Sequence, residues 1–362
     1  MKVFFKAIAT VALIAFTLVI YDSACDLINQ PSYQEQMPTV DIAMQPEEQP
    51  ATSVQLPSET EQGTESSESV RVNYSWSYED DWTWELDIPV SLYEYYRQLP
   101  RPPTGNYSVY VTNPSDDPYI EMLVEKIEEA ASKKGFSEYQ TVEFAAAFVQ
   151  GLPYTADSVS TPYDEYPRYP IETLLDNGGD CEDTSILLAS IVDKMGYGVA
   201  LIVTSNHCAV GLKGSEKMYG SYYEYEGSRY YYVETTGEGW GIGEIPDQYR
   251  NSSANIYPII PTPVITHEAT VRSNGYMAEV EVTVRNEGTA PAYSVTVLAG
   301  FDAGENMLWN SQKCEPFTLG IGQKATVKLT LQVPLNKYTR LIVQVGNDNV
   351  LVDESYTSWF DT

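Results

Sequence analysis

A glycine turn that opens into an apolar helix constrains this chain more than any other stretch. Residues 178–183 read Gly-Gly-Asp-Cys-Glu-Asp, and apolar side chains then recur through residues 185–195 at the spacing of a mostly buried helix. Gly196 supplies the stop signal. Asp180 and Asp183 have the spacing of a capping box, with Asp in place of the usual residues. The pattern therefore predicts a buried helix with a cysteine in its first turn.

The position of Cys181 exposes its thiol to two opposing electrostatic influences. Unpaired backbone N–H groups and the positive end of the helix dipole favour the thiolate. The three neighbouring carboxylates oppose it, because they raise the cost of a further negative charge. A nucleophile at this position therefore needs a cationic partner, and the chain has two histidines, His207 and His267.

Length, charge and cysteine usage limit what the chain can be. Its 362 residues exceed one ordinary domain, so we expect two folded units plus tails. The formal net charge of −30 excludes a nucleic-acid partner, since little positive charge is available to neutralise phosphates. The four cysteines are Cys25, Cys181, Cys208 and Cys314. They fall in separate parts of the predicted organisation, so we expect no disulfides, and the last two are interpreted as small buried hydrophobic side chains.

The start of the chain is typical of an export signal. A basic beginning precedes an apolar run over residues 7–20, and small residues then lead to Cys25. We interpret residues 1–25 as a signal peptide or an N-terminal membrane anchor, so the protein is expected to be exported, either secreted or held at the extracellular face of a membrane. Cleavage, retention and lipidation at Cys25 all stay open. Residues 26–72 are rich in Pro, Ser and Glu, which predicts a disordered acidic linker.

Two folded units are predicted after the linker. Over residues 73–258, helical patterns, the strongest at 116–134, precede three strand patterns, which indicates an α+β domain. Over residues 262–362 short alternating strands are separated by turn signals, as in a β-sandwich of about seven strands. His267 lies at the entry of that sandwich, with no cysteine or paired carboxylate near it in sequence. We interpret it as a surface or packing histidine.

Three residues occur in the order that a cysteine nucleophile, its base and an orienting acid would take: Cys181, His207 and Glu234. His207 would take the thiol proton and later return one to a leaving amine, while Glu234 would hold the imidazole. The backbone N–H of Cys181 is a candidate oxyanion donor, and Gln150 and Tyr154 are the side-chain candidates.

The glycine-rich loop at residues 237–243 has a different interpretation. It follows a strand but leads into Pro246 rather than a helix, which excludes a phosphate-binding loop. Trp240 in this loop is a candidate residue of the substrate cleft, and plain loop packing is the alternative. Zinc is not expected, because the two distant histidines and scattered cysteines offer no ligand spacing.

Three blocks of sequence together resemble the transglutaminase-like superfamily, above all its secreted prokaryotic cysteine-peptidase-like members. They are residues 178–183 with the preceding Glu-Thr-Leu, residues 206–210 (Asn-His-Cys-Ala-Val) and residues 232–236 (Tyr-Val-Glu-Thr-Thr). The resemblance covers roughly residues 116–246. It implies an α+β fold whose papain/transglutaminase-like core packs helices on an antiparallel sheet, followed here by an all-β Ig-like sandwich. Glu234 stands where the superfamily usually has Asp, and the animal enzymes' tryptophan upstream of the nucleophile has no counterpart, so hydrolysis is favoured over acyl transfer.

The resemblance also bears on cofactors and partners. Some bacterial relatives with the same Asp-Cys-Glu-Asp run bind calcium, which implies a candidate calcium site at Asp180, Glu182 and Asp183. Helix capping is the alternative role, and no cofactor is otherwise required. We therefore expect a cysteine hydrolase that attacks peptide or isopeptide bonds of a protein or peptide at the cell envelope, with the membrane contacted through the N-terminal segment. The alternative is a non-catalytic surface module that binds envelope protein or polysaccharide; the oligomeric state stays open.

Overall fold

The structure, a computed structural model, describes residues 41–45, 68–101, 104–157, 166–250 and 252–362. Within these ranges the helices are α1 (Val90–Gln98), α2 (Ser108–Val111), α3 (Asp117–Lys134), α4 (Glu138–Gln150), α5 (Pro170–Leu175) and α6 (Cys181–Lys194). The first strands are β1 (Asp41–Gln45), β2 (Ser69–Tyr78), β3 (Asp80–Pro89), β4 (Val199–Val203), β5 (Cys208–Gly214), β6 (Tyr222–Tyr225), β7 (Ser228–Val233) and β8 (Asn255–Pro258). The remaining strands are β9 (Ile265–Ser273), β10 (Met277–Asn286), β11 (Ala292–Gly304), β12 (Met307–Lys313), β13 (Phe317–Leu319), β14 (Lys324–Gln332), β15 (Tyr338–Thr339), β16 (Leu341–Asn347), β17 (Val350–Tyr356) and β18 (Phe360–Asp361).

The helix predicted after the glycine turn is confirmed as α6, and it lies in the larger of the hydrophobic cores. Every side chain from Glu182 to Val192 is buried. This helix packs against α3 and α4 and against the strands β4 and β5. The hairpin of β2 and β3 closes the same core, where the indole of Trp76 meets the ring of Phe148 edge-on at 5.1 Å. Burial on all sides fixes the position of the helix start, and with it Cys181.

A five-stranded antiparallel sheet, in the order β6-β7-β5-β4-β8, brings two distant segments together. Val210 of β5 stands opposite Leu201 of β4 and Val233 of β7. His207 immediately precedes β5 and Glu234 immediately follows β7. Because β5 and β7 run antiparallel, these two residues meet at the same end of the sheet.

The C-terminal part of the chain forms two sheets around a second core. One sheet has the order β1-β14-β10-β9, and the other has the order β12-β11-β16-β17 with β13 beside β11. The alternation that predicted strands here is visible in β10, where Ala278, Val280, Val282 and Val284 are buried and the residues between them are mostly exposed. Ten strands, β9 to β18, occur where about seven were expected.

The fold class expected from the sequence is wrong. Over the described residues the structure is mostly β, with 40% strand and 24% helix, and these strands form five antiparallel sheets rather than one sheet covered by helices as in a papain- or transglutaminase-like α+β core. The sequence interpretation gave most weight to the helical patterns around Cys181. Segments rich in aromatic and β-branched residues, such as β2, β3, β6 and β7, place more of the chain in strands.

Several predictions about the start of the chain lie outside the described residues. These include the signal or anchor at residues 1–25, with Cys25, and most of the linker predicted at residues 26–72. Inside that linker β1 pairs antiparallel with β14, from Asp41 opposite Lys328 to Gln45 opposite Lys324. The described helices include none with the length and apolar character needed to cross a bilayer.

Candidate functional site

The two glycines that precede α6 lie where any larger side chain would collide with neighbouring atoms. Gly178 has a φ of +149°, and a Cβ at this position would lie 2.4 Å from the carbonyl oxygen of Pro153. A Cβ on Gly179 would lie 2.5 Å from the side chain of Asp183. The predicted capping box is confirmed, with the backbone N–H of Asp180 donating to Asp183 Oδ2 at 3.2 Å. This turn places Cys181 as the first residue of α6, half-buried against the larger core.

The thiol of Cys181 contacts a carboxylate rather than a base. Its Sγ–H donates to Oε2 of Glu182 at 3.2 Å. Burial raises the pKa of the Cys181 thiol well above its usual range, and the charge of Glu182 raises it further, whereas a hydrogen bond from the backbone of Cys208 lowers it. Burial and the hydrogen bond to Glu182 thus both favour the protonated thiol.

His207 and Glu234 form a buried pair beside this thiol. Nε2 of His207 lies 3.1 and 3.0 Å from the two carboxylate oxygens of Glu234, whose side chain is 1% exposed. A carboxylate only accepts hydrogen bonds, so Nε2 carries the proton and Nδ1 is the nitrogen left to accept one from a thiol. Burial raises the pKa of Glu234, but the hydrogen bond from His207 and the hydrogen bonds from Thr236 outweigh it and lower the pKa to about 2.

Further side chains fix the orientation of this pair. The ring of Tyr249 stacks on the His207 imidazole with centroids 4.1 Å apart and planes 4° apart. The Tyr232 hydroxyl donates to Glu234 Oε2 at 2.9 Å, and the Thr236 hydroxyl donates to Oε1 at 2.7 Å. With both the imidazole and the carboxylate held, His207 cannot turn easily.

Cys181 and His207 line the same cavity, which has a volume of about 280 Å³. Its other walls come from the residue before α2, the start of α6, and the end of β4 with the turn into β5: Tyr107, Asp180, Glu182, Val203, Thr204, Ser205, Asn206 and Cys208. Among the described residues, no hydrogen bond joins Cys181 Sγ to His207. The structure thus brings the predicted nucleophile and base together, although the thiol has turned to Glu182.

The other predicted site residues have different outcomes. The side-chain amide of Gln150 donates to the carbonyl oxygens of Glu234 and Trp240, both at 2.9 Å, so both of its N–H groups are engaged, and its role as an oxyanion donor stays a prediction. Tyr154 is 63% exposed and forms an isolated β-bridge with Gly179, two residues before Cys181, so it stays a candidate donor. Trp240 is half-buried and is not among the described residues that line the cavity.

The acidic run around Cys181 does not converge on one point as predicted. Asp183 is fully buried and paired with the Arg168 guanidinium, and its Oδ1 accepts the Arg168 backbone N–H at 2.7 Å. Carboxylate oxygens of Asp157, Asp180 and Glu182 instead lie within 4.8 Å of one another. Their chemistry fits a calcium ion, although Asp157 also accepts from Arg168 at 2.9 Å. Asp183 is thus not among the three residues whose oxygens lie together, and the predicted calcium site stays a prediction.

The second histidine acquires a carboxylate partner that its sequence neighbourhood did not indicate. Nδ1 of His267 lies 2.6 Å from Asp353 Oδ2, and Nε2 lies 2.7 Å from Ser355 Oγ. The order of contacts is that of a Ser-His-Asp relay. However, the same Asp353 oxygen also accepts the backbone N–H of His267, and the imidazole is 2% exposed. We interpret these hydrogen bonds of His267 as a structural link between the edge strands β9 and β17.

Tyr249, Tyr107 and Asp157 belong to the site but were not found from the sequence. Each lies in a segment with no motif of its own, and each reaches the site only through the tertiary arrangement. The abundance of tyrosine, 29 residues in all, was the one available signal, and it does not single out a position.

Comparisons with known proteins do not identify a family. No family model and no curated protein matches the chain. Among solved structures, it is similar to a CARDB domain from Pyrococcus furiosus in complex with di-metal ions, at 18% identity over 28% of this chain and 86% of that one, with a TM-score of 0.22. It is also similar to beta-glucosidase 3B from Thermotoga neapolitana (14% identity, 28% of this chain and 17% of that one, TM-score 0.19) and to a DUF3823 family protein from Bacteroides ovatus (13% identity, 42% and 73%, TM-score 0.22). At these TM-scores none of them supports an argument about fold or function, so any function has to be argued from the site itself.

Proposed function

We propose that this protein is a cysteine hydrolase that cleaves peptide or isopeptide bonds, with Cys181 as nucleophile, His207 as base and Glu234 as the residue that orients the base. One observation carries the proposal: a thiol at a helix N-terminus shares a cavity with an imidazole whose far nitrogen is held by a buried carboxylate. That combination is what nucleophilic catalysis by cysteine requires. The proposal includes a relation to the transglutaminase-like superfamily in the order of these three residues along the chain. It does not include the fold of that superfamily.

The reaction would proceed in two halves. The Cys181 proton passes to Nδ1 of His207, and the sulfur attacks the substrate carbonyl carbon to give a tetrahedral intermediate. The backbone N–H of Cys181, at the start of α6, and the Tyr154 hydroxyl are the donors available for the oxyanion. The imidazolium then protonates the leaving amine and an acyl-enzyme forms. Water, deprotonated by His207, releases the acid and restores the thiol.

We also propose that the protein acts outside the cytoplasm. The basic start and apolar run at residues 1–25 favour export, and the acidic linker would carry the folded part away from a membrane. The substrate would then be a protein or peptide of the cell envelope.

A peptide-library digest tests the proposal directly. Wild-type protein should cleave a subset of peptides, and Cys181→Ser should cleave none of them. Cys314→Ser is a matched control, because it makes the same exchange in the core of the C-terminal sheets. Cleavage that survives in Cys181→Ser would refute the assignment of the nucleophile.

A second candidate function rests on the contact between Cys181 and Glu182. A thiol bound to a carboxylate is compatible with a surface module that binds an envelope protein or polysaccharide without cleaving it. Absence of cleavage by wild-type protein over the whole library, combined with retention of a peptide or glycan on the immobilised chain, would favour this alternative.

A further inference from the structure

We infer that a groove between α3 and the β2–β3 hairpin binds the acidic sugar residues of a polysaccharide, through the ammonium group of Lys126 and the indoles of Trp82 and Trp84. The groove is separate from the proposed catalytic cavity, because the residues that line the two have no member in common. The inference therefore goes beyond the proposed function and does not depend on cleavage by Cys181.

The groove has aromatic side chains on one wall and charged side chains on the other. Its volume is about 330 Å³. Trp82 and Trp84 lie two residues apart on β3 and therefore on the same face of the strand. Both indoles also pack on the larger core: the Trp82 ring lies 4.7 Å from that of Phe144, and the Trp84 ring lies 4.8 Å from that of Trp76. The other wall is α3, which contributes Lys126, Glu129, Ala130, Lys133 and Lys134. Firm aromatic walls with a few placed charges are typical of a ligand site.

The charges of the groove leave one cation available. Lys133 Nζ lies 2.6 Å from Oε1 of Glu129, and Lys134 is paired with Asp80. Within the described part of the chain, no salt bridge or hydrogen bond engages the ammonium group of Lys126. The chain has 51 acidic and 21 basic residues, so an unpaired cation in a groove is uncommon in it. The groove therefore complements an anion.

The surroundings of Lys126 limit which anion can bind. Its Nζ lies 5.0 Å from the centroid of the Trp84 ring, so a cation–π contact holds the ammonium group at the wall of the groove. Lys126 also borders a neighbouring hollow that is lined by Glu85, Asp87 and Glu125. These carboxylates repel a densely charged polyanion. The charges thus fit a ligand that brings one carboxylate at a time to Lys126.

The indoles favour an acidic sugar over an acidic peptide. A pyranose ring has a face of C–H groups, whose partial positive charge is attracted to the negative π face of an aromatic ring. The side chain of a glutamate or aspartate has no such face and would leave both indoles without a partner. A uronic acid matches both features of the groove, because its ring can rest on an indole while its carboxylate accepts a hydrogen bond from Lys126.

Titration of the full chain with methyl glucuronide, followed by tryptophan fluorescence at constant ionic strength, tests the inference. Two of the six tryptophans line the groove, so binding should change the signal in the millimolar range. Methyl glucoside, which has the same ring without the carboxylate, should bind roughly tenfold more weakly. Lys126→Gln should weaken binding of the glucuronide by roughly tenfold, and Lys126→Arg, which keeps the charge, should retain most of it. Lys313→Gln, which removes the charge of an exposed lysine on β12, is the matched control and should bind like wild type.

Three results would each overturn the inference. The first is equal binding of methyl glucoside and methyl glucuronide by the wild-type protein, or unchanged affinity in a folded Lys126→Gln variant. The second is equally tight binding of N-acetylglutamate amide, which carries the carboxylate of an acidic peptide without a sugar ring. The third is no binding, by fluorescence or calorimetry, of hyaluronan oligosaccharides, in which a uronic acid alternates with a neutral sugar. Peptide cleavage should be unaffected in Lys126→Gln, so the groove and the proposed hydrolase can fail independently.

Discussion

Replacement of Glu234 by Gln tests the energetic link between the candidate site and the fold. The pKa of Glu234 falls from 4.5 to about 2 in the folded chain, because hydrogen bonds from His207 and Thr236 outweigh the cost of burial. At about 1.4 kcal/mol per unit, the ionised carboxylate contributes roughly 3 kcal/mol of stability that a neutral amide cannot supply. Since this pKa is lowered by folding, the contribution is complete above pH 4.5 and is lost as the pH falls towards 2. Glu234→Gln should therefore be destabilised by roughly 3 kcal/mol at pH 7 and by progressively less below pH 4.5.

Urea unfolding followed by tryptophan fluorescence is the suitable assay. Trp76, Trp82 and Trp84 contribute to the core that contains α6, so the signal reports on the region that holds Glu234. Glu238→Gln, which removes an exposed carboxylate in the loop after β7, is the control and should unfold like wild type. A loss below about 1 kcal/mol at pH 7, or the same loss at pH 7 and pH 3, would contradict the account of how Glu234 is stabilised.

Three further predictions follow from individual contacts. Tyr249→Leu removes the ring stacked on His207, so kcat for a peptide identified by the digest should fall about tenfold with KM little changed. An unaltered kcat in steady-state kinetics would rule out a positioning role for Tyr249. Burial raises the pKa of Asp116 from 3.8 to about 7, so its ionised form destabilises the fold as the pH rises. The stability of Asp116→Asn relative to wild type should therefore grow by roughly 4 kcal/mol between pH 3 and pH 8, at about 1.4 kcal/mol per pH unit between pH 4 and 7, and thermal melts that show no such growth would contradict this. Calorimetric titration with calcium should give binding heat that is lost in Asp157→Asn and kept in Glu125→Gln, and no heat from wild-type protein at millimolar calcium would reject the site.

The elements that the sequence specified best are those with a strong local period. The apolar stripe of α3 and its stop at Gly135, in the left-handed conformation with φ of 74°, follow directly from the helical pattern. The alternation of β10 likewise identifies a strand with one buried face. The overall class was wrong because it depends on how the elements are distributed among sheets. Pairing of β1 with β14 joins segments nearly 300 residues apart in the chain, and no local period encodes such a partner.

The candidate site was predictable where function depends on chain order and was not predictable where it depends on side-chain direction. Four adjacent residues, 180–183, carry three carboxylates and one thiol, and in the sequence they look like one acidic cluster. Consecutive helical residues point about 100° apart, so neighbours in the chain separate in space. Asp183 accordingly faces inward to Arg168, while Glu182 accepts the Cys181 thiol. A single turn of helix thus holds a helix cap, the candidate nucleophile with a carboxylate beside it, and a buried ion pair, so adjacency of carboxylates in the chain does not predict which of them lie close enough to share a cation.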